Sequence, residues 1–216
     1  MSKVSTLTSC FGGEKYLKLF LDELPNQTIF DQLEFVISHN EPSEIETALI
    51  EEYKNQHDNL NRMIEESVIP LYVSWNKCIE QSTSEYICVW NIDDLRTPDS
   101  LEVMVDALDK NSDIDFVYGN FMIVNSFGSK DGRLVNTLQY LDQLKTGMII
   151  GPFFMFRRSI LEKCGMFDEQ FKSGGDYDFA MRLVRAGKGL CLPNISGYYL
   201  DEGKGLSTGS ELQPIE

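Results

Sequence analysis

Hydrophobic and polar positions along this chain switch repeatedly between two periods. "VSTLTS" (4–9) and "LEFVIS" (33–38) are short strand-forming runs, whereas Tyr16, Leu17, Phe20, Leu21 and Leu24 recur at helical spacing until Pro25 ends the run. Ser43 followed by Glu46 is a capping-box pattern and predicts a helix carrying Ile45, Leu49 and Tyr53. "LNRMIE" (60–65) predicts a third strand, and Leu71, Trp75, Cys78 and Ile79 share one face of a further helix. "EYICVW" (85–90) is apolar almost throughout, as suits a central strand covered on both faces. Strands and helices taking turns in this way imply an α/β layered fold with a mostly parallel central sheet.

In such sheets ligands bind outside the carboxyl ends of the strands. Asn91 to Asp94 stand at that end of the most apolar strand, so the adjacent Asp93 and Asp94 fall on a strand-to-helix loop. Thr97 and Pro98 predict the N-cap and first residue of a helix bearing Leu101, Val105 and Leu108.

The second half is less regular. "DFVYGN" and "FMIVNS" predict a hairpin around Gly119-Asn120, and "GPFFMFRRSILEKCG" a strand running into a helix. "KSGGDYDFAMRLVRAGKG" predicts a glycine-rich turn opening a helix, with Asp176 and Asp178 in its first turn and Arg182, Arg185 and Lys188 toward its end. No repeat or linker divides the chain, which leaves one domain over residues 1–216 as the expectation.

Charge narrows the chemistry. The formal net charge of −15 repels a phosphate backbone, which argues against nucleic acid as a partner. A phosphate-bearing ligand would need a divalent cation between itself and the carboxylates. The five cysteines are scattered, without a Cys-x-x-Cys pair, and most are expected in the core. The start "MSKVSTLTS" has no signal-like apolar stretch, and "MIIGPFFMF" (148–156) is too short to span a bilayer, so no transmembrane segment and a soluble, cytoplasmic protein are expected.

Four stretches, "VSTLTSCFGGEKYL", "SWNKCIEQSTSEYICVWNIDD", "GPFFMFRRSILEKCGMFDEQF" and "GGDYDFAMRLVRAG", resemble in order and spacing the landmarks of family 2 glycosyltransferases. The resemblance covers nearly the whole chain. It implies a GT-A (Rossmann-like) fold, a nucleotide-sugar donor carrying UDP or GDP, a glycan or small hydroxyl acceptor, bound Mn²⁺ or Mg²⁺, and inverting transfer. It makes Asp94 the metal ligand, Asp93 a ribose or metal-shell contact and Asp176 the catalytic base. Cys10 and Phe11 in the first loop, and His39 or Asn40 after the second strand, fall at the nucleotide. Asn91 and Gly175 depart from the family pattern, since acidic residues are usual at both places.

Plain structural readings stand beside these. Acidic turn residues also cap helices, Trp75 and Trp90 suit a core, and His57 suits a solvated helix end. Of Arg157 and Arg158, one suits a surface ion pair and either suits a diphosphate. "DEGKGLST" (201–208) resembles the family's donor-closing segment, with Asp201 or Glu202 near an extra metal position. Three functions compete: a metal-assisted inverting glycosyltransferase, a sugar-phosphate nucleotidyltransferase, and a degenerate relative that binds without turnover. The second lacks the basic glycine-rich loop a triphosphate needs, because "SCFGGEKYL" offers only Lys15.

Overall fold

A computed structural model describes residues 2–137, 144 and 147–203. Its strands are β1 (Val4–Cys10), β2 (Leu33–Asn40), β3 (Leu60–Glu65), β4 (Tyr86–Val89), β5 (Leu95–Arg96), β6 (Phe116–Val124), β7 (Arg133–Val135), β8 (Phe154–Arg157) and β9 (Gly189–Leu200). The helices are α1 (Glu14–Glu23), α2 (Glu44–Lys54), α3 (Leu71–Gln81), α4 (Ser100–Lys110), α5 (Leu161–Cys164) and α6 (Gly175–Ala186). Among the described residues the strands form one sheet in the order β3-β2-β1-β4-β8-β6-β9-β5, with β7 beside β6. Strands β3, β2, β1, β4, β6 and β9 run one way; β8, β7 and β5 oppose them.

Alternate residues of the central strands feed two cores. Tyr86 and Cys88 of β4 and Met155 of β8 join Phe20, Ile50 and Leu101 on the side of α1, α2 and α4. Ile87, Val89, Phe154 and Phe156 join Trp75 and Phe179 on the side of α3 and α6. Burial on both faces is why β4 has almost no polar residue to alternate with. The capping box at Ser43 forms as expected, with its hydroxyl accepting from the Glu46 N–H and the Glu46 carboxylate accepting from the Ser43 N–H. Trp75 and Trp90 are core residues; His57 packs against Phe30 and Tyr53 just after α2.

Two expectations fail for one physical reason, a neighbour distant in sequence. Gly119 and Asn120 make no hairpin, because β6 runs straight through them with register shifts against β9. A Cβ at Gly119 would collide with the Ser196 hydroxyl, so this glycine serves a close approach of strands rather than a turn. Thr97 does not cap α4, which starts at Ser100 behind Asp99; its hydroxyl donates instead to the Ile195 carbonyl. All five cysteines are free thiols, four of them buried. Among the described residues no helix is long and apolar enough to cross a membrane.

Candidate functional site

The parallel strands deliver their following loops to one edge of the sheet. Cys10 and His39 are register partners at the ends of β1 and β2, and Asn91 to Asp94 leave β4 beside them. The two loops touch: a Cβ on Gly13 would lie 2.5 Å from Ile92 Cδ1. Strand β9 ends at the same place, where the Leu200 N–H donates to Asp94 Oδ1 at 3.1 Å. Helix α6 reaches that edge from the other face. Its C-terminal end lies by Asp115, just before β6, so its N-terminus with Asp176 points toward the carboxyl ends.

Adjacent in sequence, Asp93 and Asp94 are placed very differently. Asp94 is 3% exposed, and its second oxygen accepts from Asn91 Nδ2 at 3.1 Å. Its carbonyl accepts the Trp90 indole N–H. Both carboxylate oxygens therefore hold the loop and β9 together. Burial, then the charge of Asp93, pushes the Asp94 carboxyl upward, against the Leu200 N–H, Asn91 and Arg96. Asp93 is half-buried. Its pKa is raised by burial and, more weakly, by the charge of Glu202. Glu202 is in turn held by Lys15 Nζ at 2.7 Å and the Tyr16 hydroxyl at 3.2 Å. Asn91 in place of an acid thus has a local use as a donor to Asp94. The remainder of the "DEGKGLST" stretch, from residue 204, lies outside the described residues.

His39 and Asn40, expected at the nucleobase, are fully buried. Asn40 Nδ2 lies within reach of Ser9 Oγ, the Cys10 and Ser38 carbonyls and Ser74 Oγ, and its oxygen accepts from the Ile69 N–H. His39 sits between Arg62 Nε, 3.1 Å from Nδ1, and Glu46 Oε2, 3.2 Å from Nε2. The side chains of Cys10, His39 and Glu46 are close enough together to suggest a metal. Their bonding argues otherwise. Because Arg62 Nε–H can only donate, His39 Nδ1 must accept, which puts the ring proton on Nε2 and directs it to Glu46. Burial pushes the Cys10 thiol up to about 12, so it is a poor source of thiolate. Glu46 also accepts from the N–H groups of Gly13 and Ser43. Burial would raise the Glu46 carboxyl, but those bonds and His39 outweigh it and hold it low. The network is thereby complete, and it fixes the loop from Cys10 to Gly13. Phe11 at the tip of that loop is 55% exposed.

Asp176 is half-buried in the first turn of α6, where its Oδ1 accepts from the Tyr177 N–H at 2.9 Å. Burial raises its pKa, opposed by that N–H, its own N–H and the Tyr72 hydroxyl. Asp178 is paired with Arg182 at 2.7 Å. Gly175 has a steric reason to be glycine, since a Cβ there would lie 2.6 Å from the Tyr72 ring.

Arg157 and Arg158 must be withdrawn from the site. Arg157 pairs with Tyr86 at the opposite, amino end of β4, and both guanidinium groups bind carbonyls there; Arg157 also meets Glu85. Arg62, Arg96 and Tyr72 were not singled out by sequence, and Glu46 was singled out only as half of the capping box. Arg96, 2% exposed two residues after the acidic pair, donates to the Val89 carbonyl and lies over the Trp90 and Phe153 rings. A basic residue that close to two carboxylates was its only signal.

Comparisons with known proteins bear on the fold and the family. The chain is 25% identical over 178 residues to an uncharacterized glycosyltransferase of Methanocaldococcus jannaschii, a match covering 79% of this chain and 60% of that protein. Among solved structures it is similar to S. aureus TarS 1–349 in complex with UDP-GlcNAc, at 20% identity and a TM-score of 0.77 over 92% of this chain and 58% of that one. It is similar also to the mannosyltransferase PcManGT from Pyrobaculum calidifontis in complex with GDP-Man and Mn²⁺, at 16% identity and a TM-score of 0.67 over 91% of this chain and 56% of that one. The chain thus spans about 60% of the length of these relatives. These likenesses establish the GT-A-like fold, and because the model of glycosyl transferase family 2 matches residues 5–165, the chain belongs to that family.

Proposed function

We propose that the chain transfers a glycosyl group from a UDP- or GDP-linked donor to a hydroxyl of a glycan or small acceptor, with inversion. One observation carries the reading. Asp93 and Asp176 lie on the same carboxyl edge, both half-buried, and among the described residues no cation pairs with either. Family membership and the donors bound by TarS and PcManGT support a nucleotide sugar.

In this reading Asp176 takes the proton of the acceptor hydroxyl. The acceptor oxygen forms a bond to the anomeric carbon from the face opposite the diphosphate. The bond from that carbon to the diphosphate oxygen breaks, and its electron pair leaves with the nucleoside diphosphate. One displacement inverts the carbon. The raised pKa of Asp176 strengthens it as a base. Phe11 offers an exposed ring near the nucleotide, and the Cys10–Gly13 backbone is held in place for it by Glu46.

The Asp93 carboxylate fits Mn²⁺ or Mg²⁺ as a hard oxygen ligand, while Glu202 is engaged by Lys15 and Tyr16. A cation bound there would neutralise charge gathering on the departing diphosphate. We assign the ligand role to Asp93 rather than Asp94, whose two oxygens are already used within the fold. His39 and Asn40 then shape the nucleotide loop from beneath. Asn91, Asn40 and Gly175, the positions that favoured a relative without turnover, each have a structural partner, which weakens that alternative.

Thermal unfolding with UDP, GDP and their sugar derivatives tests the reading. A ligand at a hundredfold excess over its Kd adds about 2.7 kcal/mol to the native state. Stabilisation by one nucleotide with Mn²⁺ or Mg²⁺, lost in EDTA, is expected; equal stabilisation in EDTA would remove the cation from the scheme.

A further inference from the structure

We propose that Tyr72 of α3 is a positioning residue for Asp176, acting as an N-terminal cap supplied to α6 by a different helix. This rests on Asp176 being the base.

Helix α6 needs such a cap. Its N-cap is Gly174, in the left-handed region at φ 34°, and it makes no side-chain capping bond. A first-turn N–H left without an acceptor at a partly buried helix end is unfavourable. The Gly175 N–H, which also reaches the Ser173 carbonyl within the turn, points to the Tyr72 hydroxyl at 2.9 Å, and that hydroxyl donates to the Ser173 carbonyl at 2.8 Å. One phenol thus ties together both sides of the turn that precedes Asp176. The ring is held as firmly as the oxygen. Tyr72 is 3% exposed, stacked on Phe167 with centroids 6.0 Å apart and set edge-on to Trp75 at 5.5 Å.

Gly175 completes the fit, since the ring occupies the space that any Cβ there would need. The residue before Asp176 therefore cannot be an acid, and the polar group nearest the helix start comes from α3 instead. Helix α3 is joined to the nucleotide side as well, because Ser74 Oγ meets Asn40 Nδ2 at 3.3 Å. The aspartate and the donor loops are thereby referred to one rigid helix.

Tyr72→Phe removes one oxygen and leaves the ring packed, so it separates positioning from folding. The assay is release of nucleoside diphosphate from UDP-GlcNAc and, separately, GDP-mannose, with Mn²⁺ and water as acceptor, for the parent, Tyr72→Phe, Asp176→Asn and the double variant. Tyr72→Phe should lower kcat about tenfold with donor KM within about twofold of the parent. The double variant should be no slower than Asp176→Asn, because a positioning group has nothing left to position. Parental kcat in Tyr72→Phe, or a fall in the double variant that multiplies the two single effects, overturns the proposal while leaving Asp176 in place. A rise in KM matching the fall in kcat also overturns it, by making Tyr72 a donor-site support. An Asp176→Asn variant as fast as the parent, or a parent inert toward both donors, would instead remove the reading on which the proposal rests.

Discussion

Two pairs of aspartates lie at the carboxyl edge, and each divides its labour in the same way. In the loop after β4, Asp94 is sunk into the fold with both oxygens bonded, while Asp93 stays half-buried beside Glu202. In the first turn of α6, Asp178 is tied to Arg182, while Asp176 faces no cation among the described residues. One carboxylate of each pair builds and, in the proposed function, the other is left for a ligand. The pairs differ in what holds the building partner. Asp94 is fixed by a backbone N–H from β9, distant in sequence, and Asp178 by an arginine one turn along its own helix. Disturbing Asp94 should therefore loosen the fold, and disturbing Asp178 only its helix.

The largest expected effect lies on the α6 pair. Asp176→Asn should fold like the parent and lower turnover by about 10² or more, as loss of a general base does. Asp178→Asn should keep most turnover and lose about 0.3–1 kcal/mol, the value of a half-exposed i,i+4 ion pair. Donor-hydrolysis rates and urea midpoints of both variants decide it. The reverse ranking would move the base by two residues.

The β4 pair should show the opposite order in stability. An Asn at 94 has one acceptor oxygen for two donors, and its amide would face one of them, so Asp94→Asn should cost about 1–3 kcal/mol in urea unfolding. Asp93→Asn should leave the midpoint nearly unchanged and weaken Mn²⁺-dependent nucleotide binding about tenfold or more, read by titration calorimetry. If Asp94→Asn is as stable as the parent but blind to Mn²⁺, then Asp94 is the ligand and its two bonds are incidental.

Local signals made much of this legible. The capping box at Ser43, the helical spacing from Tyr16 to Leu24 and the apolar run of β4 each depend on near neighbours, and each formed as read. What sequence could not rank were residues whose partners arrive from far along the chain. Thr97 is taken by Ile195, Asp94 by Leu200, Gly175 by Tyr72 and Gly119 by Ser196. Sequence reasoning put the acidic loop and Asp176 forward, and both lie at the carboxyl edge, but it did not tell which aspartate of the loop bonds within the fold. His39, expected with Asn40 as a candidate for the nucleobase, is buried in contacts to Arg62 and Glu46 that sequence alone does not reveal.

The smallest effect tests that last point, and it concerns pH. Burial, followed by the charge of Arg62, lowers the His39 pKa against the pull of Glu46. A histidine kept neutral in the fold but free to protonate when unfolded, near its ordinary value of about 6.5, stabilises the native state above that pH. The contribution is lost as pH falls from there through the lowered folded value, at no more than about 1.4 kcal/mol per pH unit. In so acidic a chain, protonation of carboxylates also changes stability, so the informative quantity is a difference between proteins. His39→Gln keeps a donor for Glu46 and an acceptor for Arg62 but cannot titrate. Urea midpoints measured from pH 8 to 5.5 should therefore fall more steeply below pH 6.5 in the parent than in His39→Gln. Parallel curves would mean that His39 is protonated as easily in the fold as outside it. It would then be free to meet a nucleobase, and the division between residues that build and residues that bind would have to be redrawn at the β2 end.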